Sequence, residues 1–129
     1  MTWILLVENF QFLSGSATSR EWRTTLQNFG MKVKDVIYAV EVLNASDSSG
    51  ITVAIRHDQG ASPNLNMMAT LDTPISTSSF TAPTTLNGVV VPDTAGQGLL
   101  PYFMPTVIIT SDSGIKWVRA NIYVGGKPF

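Results

Sequence analysis

The stretch Val36–Arg56 constrains this chain most: two apolar runs, VIYAVEVL and ITVAIR, flank the polar cluster Asn44–Gly50 (NASDSSG). Both arms are rich in β-branched residues, which suit a pleated surface, and the break between them consists of turn-forming Asn, Ser, Asp and Gly. In the first arm Val36, Tyr38, Val40 and Val42 share one face, and Ile37, Ala39, Glu41 and Leu43 the other. In the second, Ile51, Val53 and Ile55 alternate with Thr52, Ala54 and Arg56. The second arm has one wet face. The first is apolar on nearly both faces, as expected of a central strand in a two-layer structure. The pattern predicts a β-hairpin with a longer loop.

The flanking segments extend this reading. Trp3–Leu13 predicts a strand with Ile4, Leu6, Phe10 and Phe12 on one face; Glu8 interrupts that face and marks an end, a bulge or a paired carboxylate. Thr18–Phe29 admits two readings. Thr18 and Glu21 resemble a helical capping box, and Trp22, Leu26 and Phe29 have helical spacing, whereas Trp22, Thr24 and Leu26 also alternate. With strands dominating elsewhere, the extended form is preferred. His57–Asn66 reads as a turn-rich loop, Leu65–Leu71 as a short strand, and Asp72–Pro83 as an irregular excursion around Phe80. Asn87-Gly88, between β-forming neighbours, predicts a type I′ turn in a tight hairpin. Pro92–Pro101 reads as a mobile loop. Thr106–Thr110, the turn Ser111–Gly114 and Ile115–Val124 predict a second hairpin. Roughly seven to nine short strands in one domain spanning residues 1–129 imply an all-β antiparallel β-sandwich of jelly-roll type.

Composition narrows the function classes. The chain has no cysteine, so disulfides, thiolate metal sites and cysteine nucleophiles are excluded. Eight basic and nine acidic residues leave a formal net charge of −1, and charged residues make up 13%, which disfavours a nucleic-acid partner. Met1–Val7 has no basic leading segment and Glu8 cuts its apolar run short, so no export signal is expected, and no run is long enough for a membrane span. The sole histidine, His57, lies beside Asp58 without a nucleophile at any motif and reads as a locally bonded turn residue. Asp47, Asp58 and Asp112 read as solvated turn aspartates, since they lack the ordered spacing of a calcium loop. Gly96-Gln97-Gly98 fails as a phosphate cradle on context, and Asn44-Ala45-Ser46 as a glycosylation acceptor for want of an export signal. No catalytic, cofactor-binding or metal-binding residue is therefore assigned, and the expectation is that the chain is not an enzyme. Trp3, Trp22, Trp117, Tyr102 and Tyr123 read as core or interface residues, with a sugar-stacking platform as the alternative.

Two hairpin regions, Val36–Arg56 and Leu99–Val124, and within the second Ser111–Val124 (SDSGIKWVRANIYV), carry a resemblance to the small β-sandwich proteins of tailed-phage virions: capsid decoration, head-fibre and related accessory proteins. The resemblance implies a virion location and partners among other capsid subunits, with no catalytic or ligand motif to transfer. The residues themselves point the same way. The Ser/Thr/Pro/Gly-rich segments Ser62–Pro83 and Pro92–Pro105 carry Met67, Met68, Phe80, Tyr102, Phe103 and Met104, apolar groups ill suited to an isolated surface, and Phe129 ends the chain in an aromatic. These residues are the expected interface of a homo-oligomer.

Overall fold

A computed structural model of the chain describes residues 2–30, 33–90 and 99–128. The described residues form nine strands: β1 (Thr2–Leu13), β2 (Ser19–Arg23), β3 (Gln27–Asn28), β4 (Asp35–Ala45), β5 (Ile51–Gly60), β6 (Ala69–Thr77), β7 (Thr84–Val90), β8 (Tyr102–Ser111) and β9 (Trp117–Lys127). One sheet has the order β1-β9-β4-β7 and the other β2-β8-β5-β6, with β3 also paired to β8. Every pairing is antiparallel. Two interleaved Greek keys of this order make a jelly roll. The expected fold class holds.

Neither predicted hairpin exists. β4 pairs with β7 and β9, and β5 with β6 and β8, so Asn44–Gly50 carries the chain from one sheet to the other. The same is true of β8 and β9, whose connecting turn also crosses between sheets. Period-two alternation specifies which face is buried, but not which strand supplies the hydrogen bonds. Here the inner faces of the two arms meet across the sandwich: Tyr38, Val40 and Val42 against Val53 and Ile55, all buried in one core. Gly50 and Gly114, at φ +71° and +63°, turn the two crossings.

Asn87-Gly88 lies in the middle of β7, opposite Ala39 and Tyr38, and forms no turn. Gly88 is required for another reason: a Cβ there would strike the carbonyl of Pro74 and the side chain of Ile75, where β6 of the second sheet presses against β7. The break at Glu8 is a bulge. The register of β1 on β9 shifts between Leu5 and Val7 and again between Val7 and Phe10, with Asn9 at φ +46° and its N–H donated to Asn121 Oδ1 at 2.7 Å. Thr18–Phe29 is extended, as preferred. Its break between β2 and β3 falls opposite Pro105, whose carbonyl accepts from the Thr24 N–H at 3.0 Å but which has no N–H to return.

Three loop boundaries move as well. β5 continues through His57 and Asp58 to Gly60, because the apolar face Ile51–Val53–Ile55 extends in register to His57. Leu65–Met67 is a 3-10 turn rather than the start of a strand, and β6 then occupies Ala69–Thr77, absorbing half of the supposed excursion and burying Ile75. Most of the expected loop Pro92–Pro101, including Gly96-Gln97-Gly98, lies outside the described residues.

Candidate functional site

His57 is not a turn residue; it is fully buried on the inner face of β5. Its Nδ1 lies 2.6 Å from the Tyr38 hydroxyl of β4, across the sandwich. Phe103 stacks on the imidazole at 5.5 Å between centroids, and Phe29 stacks on Phe103 at 4.6 Å. Burial pulls the imidazole pKa down to about 4, so at neutral pH the ring is uncharged. Burial, and then the negative charge of Asp58, pushes the Tyr38 hydroxyl well above its ordinary range, so it too stays neutral. His57 Nε2 is buried and has no hydrogen-bond partner among the described residues. The pair is a polar pin through the core, closed to solvent.

Asp58 follows His57 but serves the outer face of the second sheet. Its carboxylate accepts from Thr70 Oγ1 at 2.6 Å and Thr106 Oγ1 at 3.4 Å, and Arg56 Nε approaches it at 3.3 Å. Arg56 Nη1 in turn donates to Glu21 Oε1 at 2.9 Å. This network ties β2, β8, β5 and β6 side by side. Asp47 and Asp112 do lie in turns, at the end where both crossings pass, and they meet on one cation: Lys116 Nζ lies 2.7 Å from Asp112 Oδ1 and 3.3 Å from Asp47 Oδ2, and donates to the Ser49 carbonyl at 3.1 Å. The Lys116 ammonium holds the Asp112 carboxyl below its usual range; the Ser49 N–H, then Lys116, does the same for Asp47. No group of three metal-ligating side chains occurs among the described residues.

Two surface features remain. Between the open edges of the two sheets lies a groove of about 270 Å³, walled by Phe10, Phe12, Trp22 and Leu6, with Arg23 and Thr24 on its rim. Trp22 is fixed there by its indole N–H to the Leu13 carbonyl at 2.8 Å and by Arg20 stacked 4.2 Å from its ring. The second feature is the outer face of the first sheet, where register places Trp3, Gly125, Ile37 and Val89 in one row and Leu5, Tyr123, Ala39 and Asn87 in the next. Trp3, Leu5 and Val89 are 49%, 45% and 50% exposed. The sequence held the signal for this face, since the first arm of the central stretch is apolar on both sides.

The expected interface residues fare differently. Phe103 and Met104 are buried within the chain, Phe103 between His57 and Phe29, so they are core and offer no free surface. Met68, Phe80 and Tyr102 are half-buried, Met67 lies in the 3-10 turn, and Phe129 is outside the described residues.

No protein-family profile matches the chain, and no curated protein sequence does either. Solved structures do. The chain is similar to the structure of infectious bursal disease virus Gx strain, with a TM-score of 0.61 and 14% identity over 95% of this chain and 30% of that one. It is similar to the infectious bursal disease virus VP2 subviral particle, at 0.57 and 12% over 95% and 32%. A third likeness is to TmCBM61 in complex with β-1,4-galactotriose, at 0.50 and 11% over 91% and 69%. The chain thus spans about a third of the viral chains it matches. At these identities the likeness establishes a shared fold, and chains of virus and subviral particles are among those that share it.

Proposed function

We propose that this chain is a non-enzymatic structural subunit of a viral assembly, acting through protein–protein contacts as a capsid decoration or other virion accessory protein located in the virion. The observation that carries this reading is the jelly-roll strand order, which superposes over 95% of the chain on viral particle structures. Two further features support it. The single histidine is sealed in the core against Tyr38, and three of the exposed large apolar groups, Trp3, Leu5 and Val89, gather on one sheet face. The test is mass spectrometry of purified particles from the source, with sedimentation of the chain on stripped shells. Recovery of the chain in stoichiometric amounts with the shell is expected; its absence from particles and failure to co-sediment would overturn the reading.

The groove between the sheet edges favours one second reading, a carbohydrate-binding module, because Trp22 and Phe10 offer aromatic surface beside polar Arg23 and Thr24. Titration with oligosaccharides separates the two. A saturable change in tryptophan fluorescence that Trp22→Ala removes would establish the module; silence leaves the subunit.

A further inference from the structure

We propose that the outer face of the first sheet is a homodimer interface, formed with a second copy of this chain about a two-fold axis that runs along the strands between β9 and β4. The inference rests on the subunit reading and names its contact surface.

Four consecutive rows on that face are fixed by strand register. Asp35 opposes Lys127; Gly125 and Ile37 stand between Trp3 and Val89; Tyr123 and Ala39 stand between Leu5 and Asn87; Asn121 opposes Glu41. A two-fold along the strands exchanges β9 with β4 and β1 with β7 and returns each row onto itself. Isologous contact then sets each residue against the one that opposes it in register. Ile37 faces the partner's Gly125, which its own neighbours already cover, and Tyr123 faces the partner's half-buried Ala39, so large side chains lie over small ones at the centre. Trp3 lies over the partner's Val89. At one border Asp35 faces the partner's Lys127, and at the other Asn121 faces the partner's Glu41. Acid meets base, and amide meets carboxylate.

The perpendicular two-fold is disfavoured by the same residues. It would superpose β4 on its own copy with the rows reversed, setting Asp35 against the partner's Glu41, a like-charge contact. Aligned sheet packing at about −30° keeps the central pairs together while the outer ones splay slightly. The exposed parts of Trp3, Leu5 and Val89, with the half-buried Ile37 and Tyr123, offer on the order of 400 Å² of apolar surface. With a polar border in usual proportion, the footprint approaches about 700 Å² per partner, close to that of a stable interface. Glu41 and Asn121 are already bonded at 2.8 Å, which holds that border in place before docking.

Sedimentation velocity at micromolar concentration tests the proposal on the intact chain. The wild type is expected to be a dimer. Asp35→Lys and Lys127→Glu should each weaken it about 100-fold, since each sets like charges against the partner. Mixed together, the two variants should form a heterodimer, because every border contact between them is again of opposite sign. Ala39→Trp, which fills the socket for the partner's Tyr123, should leave a folded monomer by circular dichroism. A monomeric wild type, dimers that persist in the single variants, or an unaffected Ala39→Trp dimer would each overturn the interface. None of these outcomes touches recovery of the chain in particles, which decides the subunit reading by itself.

Discussion

His57 occupies a position where a β-strand ordinarily places isoleucine, and its chemistry makes the core sensitive to acid. Its folded pKa of about 4 lies below the ordinary 6.5, so between these values the unfolded chain binds the extra proton. Stability is therefore whole above pH 6.5 and falls as the pH drops toward 4, by about 3 kcal/mol in all. Urea denaturation at stepped pH should show that slope in the wild type and not in His57→Leu. The carboxyls of Asp47 and Asp112 are held below their usual range, so their contribution is lost only at still lower pH, beneath the histidine window. Tyr38→Phe leaves Nδ1 without its 2.6 Å partner and should cost about 1–3 kcal/mol, whereas adding His57→Leu should cost less than the sum of the two single changes. Phe103→Ala acts at the same place. It empties the stack between Phe29 and His57, so it should unfold the chain by about 3–5 kcal/mol and not merely loosen an interface.

At the level of elements, the sequence was legible in its faces and not in its partners. Val36–Val42 and Ile51–Ile55 announced which residues would be buried, because alternation against a core leaves a period-two trace. It leaves no trace of whether the next strand is hydrogen-bonded or faces across the sandwich, and so both arches read as hairpins. The Tyr38–His57 pin was hidden for a related reason: the partners are on different sheets, although the apolar run up to His57 hinted that the strand continued. The apolar outer face was visible in Ile37 and Ala39, but Trp3 and Val89 joined it only through register. Gly88 carries the sharpest test of this distinction. Gly88→Ala should lower the urea midpoint by the equivalent of about 1–3 kcal/mol with an unchanged slope, because its methyl group meets the Pro74 carbonyl.

For the whole molecule, the arches have a kinetic meaning. Among the described strands only β5 and β6 are both consecutive in the chain and paired, while β1 must find β9 at the other end. Such topology delays every reward until a long loop has closed, and refolding on the order of milliseconds to seconds is expected by stopped-flow tryptophan fluorescence. The interruptions on one flank of the sandwich have another meaning. β1 is broken by its bulge at Asn9, and the β2–β3 edge by the missing amide of Pro105. A chain that docks through one sheet face, as proposed, would run a constant risk of associating along its strands as well, by templating cross-β fibrils. Its two open edges on that flank are unfit for the purpose. Growth from that flank is disfavoured, so docking through a sheet face there need not lead to strand-edge polymerisation.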